Sequence, residues 1–158
     1  MTGLENAGMA DFVPRHFEPP VELIDAEFVL EPLGPEHNES DYAAWTSSIE
    51  HIQGTPGLED WSWPQQMTLE ENLADLEMHA RHFASREGFT YTVLDPRTRD
   101  VIGCVYIYPA KDGVHDARIR SWVRASRAEL DGRLRSTVSD WITTDAWPFT
   151  NVLYAPPR

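Results

Sequence analysis

The sequence predicts an α/β fold of the α+β type, in which a mixed, mostly antiparallel sheet carries helices on both faces. Residues 117–124 alternate in the period of a strand, and an apolar stripe at helical spacing follows them. Two further strand-like runs, 89–94 and 101–108, flank the turn 95–100, which is typical of an antiparallel hairpin. The predicted order is strand, helix, helix, three strands, helix, strand.

The composition predicts one folded domain. The chain has 158 residues, of which 41% are hydrophobic, and it contains six tryptophans, enough to bury a core. Residues 1–27 are predicted to form an N-terminal arm, because Pro14, Pro19 and Pro20 interrupt any periodic pattern there. Residues 28–158 are predicted to form the single domain.

The charge balance excludes some function classes. The chain has 26 Asp+Glu against 13 Lys+Arg, a net charge of −13, which repels a polyanion, so we expect no nucleic-acid partner. No segment approaches the ~20 apolar residues that span a bilayer, and no signal peptide is visible, so we expect no membrane association. The single cysteine, Cys104, lies in an apolar run and suits a reducing compartment; we expect a cytoplasmic protein.

The first half of the domain contains one predicted strand, a helix and a loop. Phe28–Leu33 has strand character and is followed by glycine and proline. Apolar residues recur at three- and four-residue steps from about Glu36 to His51, which predicts a helix. Residues 53–66 are broken by glycine and proline and form a loop that carries Trp61 and Trp63.

Two capping boxes mark the starts of the later helices. Thr68 and Glu71 predict that a helix begins there and ends near Gly88. Ser126 and Glu129 predict the start of another, whose buried stripe is Leu130, Leu134, Val138, Trp141 and Ile142. A last strand is predicted within residues 149–154.

The arginines concentrate around the strand 117–124 and the helix that follows it. They are Arg118, Arg120, Arg124, Arg127, Arg133 and Arg135. A basic cluster beside a helix amino end is a candidate anion site, and a solvated strand edge and helix face is the alternative.

Several motifs, in their order and spacing, resemble those of the GNAT superfamily of acyl-CoA-dependent N-acetyltransferases. They are Phe28-Val29-Leu30-Glu31-Pro32-Leu33, Met67-Thr68-Leu69-Glu70-Glu71-Asn72-Leu73, Val101-Ile102-Gly103, Ser121-Trp122-Val123 and Trp147-Pro148-Phe149. The similarity covers most of residues 28 to 154 and is closest to the branch that contains the ribosomal-protein alanine acetyltransferases. It implies a GNAT-like sheet, acetyl-CoA as co-substrate and a small-molecule or peptide amine as acceptor.

The resemblance also implies a cofactor site, with one departure. Trp122 and Val123 would hold the acyl carbonyl, and Arg124, Arg127 and Gly132 would contact the CoA phosphates. The family pattern Q/R-x-x-G-x-G/A corresponds here to residues 127–132, where a leucine replaces the central glycine and two acids flank it. Because a side chain and like charges oppose a close approach of phosphate, we expect weakened cofactor binding.

Catalytic and acceptor residues follow from the same resemblance. His115 and Asp116 are candidate proton acceptors, and the alternative is a polar loop. Tyr154 is a candidate acid for the departing thiolate, although we expect it on the last strand. Trp61 and Trp63, with Tyr106 on a strand face, are candidate acceptor-binding residues, and covering the core edge is their alternative role.

The remaining expectations concern metals, assembly and a rival function. His79 and His82 are three residues apart on a predicted helix, but no third ligand has recognisable spacing, so we expect a solvated helix face and no metal site. The sheet is expected to be truncated after the fifth predicted strand, and an unpaired edge would allow a homodimer. The alternative to an enzyme is a non-catalytic protein of the same fold that binds a small ligand or partner protein.

Overall fold

The computed structural model describes residues 11–156, and within them two strands are followed by three α-helices, three strands, a fourth α-helix and a last strand. The strands are β1 (Leu23–Ile24), β2 (Val29–Pro32), β3 (Phe89–Leu94), β4 (Val101–Pro109), β5 (Ala117–Val123) and β6 (Val152–Tyr154). The helices are α1 (Asn38–Thr46), α2 (Ile49–Gln53), α3 (Leu69–Ser85) and α4 (Asp131–Ile142). No helix in this part of the chain is long and apolar enough to cross a bilayer.

One sheet contains all six strands in chain order, from β1 to β6. Every neighbouring pair is antiparallel except β5 and β6, which run parallel because α4 connects them. The mixed, mostly antiparallel sheet and the β3–β4 hairpin are therefore confirmed.

The two sheet faces bury two separate clusters, because successive strand residues point to opposite sides. On β5, Ile119 and Val123 pack on the side of α4, together with the stripe that the sequence predicted on that helix. Trp122 points to the other side, where it is fully buried with Trp45 of α1 and Leu76 of α3. Helices therefore cover both faces, as expected.

Helix α4 begins later than its sequence pattern predicted. Residues Ala125–Leu130 form a 3-10 helix, α4 starts at Asp131, and no side chain caps either segment. The predicted capping box of Ser126 and Glu129 is therefore wrong. The tight turn directly after β5 seats the side chain of Leu130 in the core, and burial of that side chain outweighs a local cap.

The helix predicted over residues 36–51 is broken in two. The Ser48 hydroxyl donates to Ala44 O (2.9 Å) and accepts from the Ala125 N–H (2.9 Å), so this serine ties the end of α1 to the chain after β5. The break separates α1 from α2 and allows that long-range contact.

Helix α3 has the predicted capping box and a different end. The Thr68 hydroxyl accepts from Glu71 N (3.0 Å), and the Glu71 carboxylate accepts from Thr68 N (2.8 Å). Arg86, with φ of 68°, ends the helix in the left-handed conformation, two residues before the predicted stop at Gly88. Gly88 lies instead against the ring of Tyr108, where a Cβ atom would be 2.1 Å from Cε2.

The predicted N-terminal arm contributes to the sheet. Leu23 and Ile24 pair with Leu30 and Val29, so the sheet begins before residue 28. Val13 is buried in the cluster on the α4 side. The described part of the arm is thus packed on the domain, and the prediction for residues 1–10 falls outside the described residues.

Candidate active site

The main cavity, of about 760 Å³, opens on the sheet face that carries α1 to α3. Its floor consists of alternate residues of β4 and β5, whose side chains point to the same side. These are Tyr106, Tyr108, Arg118 and Arg120. Helix α3 and the loop after α2 form its walls.

The three predicted acceptor-binding aromatics meet in this cavity. The rings of Trp61 and Tyr106 are 5.0 Å apart, edge to face, and Trp61 contacts Trp63 at 6.4 Å. Below them, Trp122 Nε1 donates to the Tyr106 hydroxyl (2.9 Å), so the floor is anchored in the core. The loop aromatics thus line a concave, largely apolar site rather than only covering the core edge.

The wall on the α3 side carries two histidines that the sequence analysis assigned to a solvated surface. His79 Nδ1 lies 3.0 Å from the Tyr108 hydroxyl and 2.8 Å from Thr90 Oγ1, and His82 Nδ1 lies 2.9 Å from the same hydroxyl. Burial, and then the neighbouring His82, lower the pKa of His79 to about 4. The solvated-face prediction is therefore wrong, because α3 turns this face toward β4.

Metal binding gains no support from these histidines. Within residues 11–156 no group of His, Cys, Asp and Glu side chains could hold a metal ion.

Arg118 and Arg120 extend along the opposite side of the cavity. Arg120 stacks its guanidinium over Trp61, 4.9 Å from the ring centroid, and its Nε donates to Gly57 O (3.2 Å). Both guanidinium groups approach one oxygen, Oδ2 of Asp60, at 3.6 Å. That distance is too long for a hydrogen bond, so Asp60 only partly compensates the two charges.

The strand pairing of β5 with β6 has a gap at its end, in the sense that the last residues of β5 have no β6 residue opposite them. Their pairing ends at Ile119 and Tyr154, whereas β5 continues to Val123. The Arg124 N–H donates to Ile102 O (2.9 Å), the residue opposite it on the β4 side. Since alternate backbone amides of an antiparallel strand point to opposite sides, the Val123 N–H points away from β4, toward the side of β6.

Tyr154 stands at the end of this pairing. Its hydroxyl lies 2.6 Å from Ser121 Oγ, and burial raises the pKa of Tyr154 to about 12. The tyrosine is on the strand, as expected, and it remains protonated at neutral pH.

Arg135 of α4 ties together the segments that surround this gap. Its side chain is 4% exposed and donates to Asp131 Oδ2 (3.0 Å), to Pro56 O (3.0 Å) and to Ala155 O (2.5 Å). It also lies over the Tyr154 ring, 5.3 Å from the centroid. The loop after α2 is therefore held beside β6 and the start of α4.

The predicted phosphate-contacting residues do not converge. Gly132 borders a second cavity, of about 470 Å³, where an added Cβ would meet nothing within 4 Å, but the charged lining groups include Glu50 and Asp131. Arg127 is instead paired with Asp95 on the β3–β4 turn, and Arg124 donates to Val101 O (3.2 Å). The predicted anion site around the start of α4 is thus dispersed among separate partners.

His115 and Asp116 lie outside the main cavity. His115 Nδ1 is 2.6 Å from Asp112 Oδ2 in an exposed turn. The Asp116 carboxylate accepts from the N–H groups of Thr150 (2.8 Å) and Asn151 (3.1 Å), which orders the entry to β6. Both contacts support the polar-loop alternative.

The sequence did not predict that His79, Tyr108, Arg118 and Arg120 line the main cavity. One usable signal was present: the period-two pattern puts the two arginines on the face of Trp122, opposite the tyrosines of β4. The packing of α3 over this face of the sheet has no comparable signal in the sequence, because it depends on contacts between segments that are distant along the chain.

Sequence comparisons and structural comparisons give different results. No protein-family model matches the chain, and no curated protein matches it significantly. Solved structures do match. The ribosomal-protein-S5-alanine acetyltransferase from Vibrio fischeri aligns with a TM-score of 0.60 and 15% identity over 78% of this chain and 67% of that one.

Two other acetyltransferases align similarly. The enzyme from Salmonella typhimurium that modifies the N-terminal serine of ribosomal protein L7/L12 has a TM-score of 0.58 and 13% identity, over 78% of this chain and 64% of that one. The microcin C7 self-immunity acetyltransferase MccE, in complex with acetyl-CoA and AMP, has a TM-score of 0.58 and 14% identity, over 75% and 62%. The chain spans about two thirds of the length of these proteins and shares their fold.

Proposed function

We propose that this chain, which has the GNAT fold, is an acyl-CoA-dependent N-acetyltransferase that moves an acetyl group to a small-molecule or peptide amine. The observation that carries the proposal is the gap beyond Ile119 and Tyr154, on whose side the Val123 N–H points, beside an aromatic cavity. A co-substrate in the gap and an acceptor in the cavity would approach each other across β5.

The groups around the gap support the chemistry that transfer requires. The Val123 N–H would donate to the thioester carbonyl oxygen and stabilise the charge that develops on it. The amine nitrogen forms the new bond to the carbonyl carbon, the carbon–sulfur bond breaks, and the proton that the amine loses passes to solvent, directly or by way of His79. Tyr154, protonated at neutral pH, would give its proton to the leaving thiolate and recover one from solvent.

His79 is the neutral base that the cavity offers for the amine proton. Its lowered pKa keeps it unprotonated at neutral pH, so His79 itself adds no positive charge that would repel an ammonium group. A pKa of about 4 also makes it a weak acceptor. We therefore assign transfer mainly to positioning of the amine and the thioester.

Weak cofactor binding is part of the proposal. Arg127 is engaged by Asp95, and two carboxylates line the cavity that Gly132 borders. The same observations favour a second candidate function: a non-catalytic protein that binds a small ligand or partner in the main cavity without using CoA.

Calorimetric titration with acetyl-CoA, followed by an assay of CoA thiol release with a panel of primary amines and short peptides, tests the two candidates. The enzyme proposal predicts binding and amine-dependent thiol release. Tyr154→Phe should reduce the release while leaving the binding heat, and the exposed Glu70→Gln on α3 serves as the matched control. If millimolar acetyl-CoA gives no binding heat and no thiol release, only the non-catalytic candidate remains.

The variant Asp95→Asn tests whether the phosphate site is absent or whether Arg127 is only occupied by Asp95. The substitution removes the charge that engages Arg127 and keeps an oxygen for the turn amides of Arg97 and Thr98. Tighter acetyl-CoA binding in this variant would show that Arg127 can serve the phosphates. Leu130→Gly is less informative, because Leu130 is a core residue and its removal would destabilise the packing of α4 on the sheet as well as alter the loop.

A cytoplasmic location and a homodimer also remain proposals. The edge strands β1 and β6 are two and three residues long, which leaves little backbone for pairing with a second copy. Sedimentation at high protein concentration tests the homodimer, and a strictly monomeric profile contradicts it.

A further inference from the structure

We propose that the main cavity binds an amine that also carries a carboxylate, and that Arg118 and Arg120 bind the carboxylate. The identity of the guest as an acetyl acceptor rests on the function proposed above. The anion site itself requires only binding and can be tested without acetyl-CoA.

The two arginines lack a full complement of anionic partners among the described residues. They lie two residues apart on β5, on the same face, and they share one oxygen of Asp60 at 3.6 Å each. That aspartate is 58% exposed, so water already solvates it. Burial, followed by the closeness of Arg118, lowers the pKa of Arg120, which marks a pair of cations that a second anion would stabilise.

The orientation of Arg120 favours a planar anion. Its Nε is used by Gly57 O, and its guanidinium group lies over Trp61, so the terminal nitrogens are held in place at the cavity wall. A guanidinium fork fixed in this way matches the two oxygens of a carboxylate. The other charged lining residues include Asp75 and Glu87 against Lys111, and the chain as a whole is strongly acidic, which disfavours a dianion such as phosphate.

The opposite wall suits the amine end of the same guest. Asp75 and Glu87 line the cavity on the α3 side, and the two histidines there are joined to the Tyr108 hydroxyl. Between the two walls, Trp61 and Tyr106 offer ring surface to the part of the guest that connects its charged groups. The cavity is therefore polar at both ends, with opposite charges, and aromatic in the middle.

Binding of a matched pair of probes tests the proposal. Benzylamine and 4-(aminomethyl)benzoate differ only in the carboxylate, and each is titrated into the full chain without acetyl-CoA, with tryptophan fluorescence and calorimetry as readouts. We expect the carboxylate probe to bind about tenfold more tightly. Arg118→Gln and Arg120→Gln should each reduce that preference severalfold, and Arg→Lys at either position should restore part of it.

A variant that binds the carboxylate probe more tightly cannot be explained by a destabilised fold, so it complements the two glutamine substitutions. Asp60→Asn removes the carboxylate that competes for the two arginines, so it should tighten binding of 4-(aminomethyl)benzoate severalfold and leave benzylamine unchanged. Asp100→Asn, an exposed substitution on the β3–β4 turn, is the matched control. Equal binding of both probes, absence of binding at millimolar concentration, or a preference that survives both glutamine substitutions would overturn the proposal. If the protein prefers the carboxylate probe but transfers no acetyl group, the proposed enzyme activity is rejected and the carboxylate site is retained.

Discussion

The Arg127 guanidinium pairs with the Asp95 carboxylate, in a surface pocket different from the one that Gly132 borders. Because Arg127 was expected to contact the CoA phosphates, this ion pair determines whether it is free to do so. It joins the β3–β4 turn to the 3-10 helix before α4, and Asp95 also accepts from two amides of its own turn. The contact therefore has a structural role whatever the chain binds.

The stability of the fold at low pH should depend on the ion pair between Asp95 and Arg127. Arg127, followed by the turn amides, lowers the pKa of Asp95 from 3.8 to about 2. Because the folded-state pKa is depressed, the stabilisation is complete above the unfolded value and is lost as the pH falls from about 4 through 2. Asp95→Asn should lower stability at neutral pH and flatten its dependence over this window, as measured by denaturant unfolding at several pH values. An unchanged slope would contradict the prediction, and Asp100→Asn is the control.

His79 should titrate far below an exposed histidine. Burial lowers its pKa from 6.5 to about 4, so the fold favours the neutral ring and loses stability as the pH falls from 6.5 toward 4. NMR titration of the imidazole signals should show one histidine with a midpoint near 4. His79→Gln should remove part of the stability loss in this window, and a His79 midpoint above 6 would refute the buried geometry.

Asn72 should be one of the most sensitive polar positions. Its amide accepts from Trp45 Nε1 (3.0 Å) and donates to Asn38 Oδ1 (2.9 Å) and Asp41 Oδ2 (3.1 Å), inside the contact of α1 with α3. Asn72→Ala leaves buried groups without partners and should cost about 3 kcal/mol of unfolding free energy in urea. The exposed Glu70→Ala on the same helix should cost much less, and equal losses would contradict the assignment.

Leu130 should behave as a core residue rather than as a loop position. It is 9% exposed and packs with the stripe of α4 against the sheet. Leu130→Ala should therefore lower the unfolding free energy by about 2–4 kcal/mol, which a thermal melt or urea titration measures. A neutral effect would mean that the side chain does not fill the core, and the chain could then approach a phosphate more closely than this packing allows.

Most of the order of strands and helices was predictable, apart from β1 and the break between α1 and α2, because its signals are local. Strand alternation in β5, the β3–β4 turn and the Thr68–Glu71 capping box each act over a few residues, and the structure contains all three. The Ser126–Glu129 box failed for the opposite reason. A local capping preference of about 1 kcal/mol yielded to burial of Leu130, which contributes more.

The main cavity also combines features that the sequence predicted with features that only packing determined. Composition and periodicity were enough for the class of fold, the basic strand and the aromatic loop, since each depends on neighbours along the chain. Packing alone turned His79 toward Tyr108, directed Arg127 to Asp95 and left Arg118 and Arg120 beside one shared carboxylate. These contacts join residues that are distant in sequence. The free energy that favours them arises only when α3, the loop after α2 and the sheet pack together and exclude water.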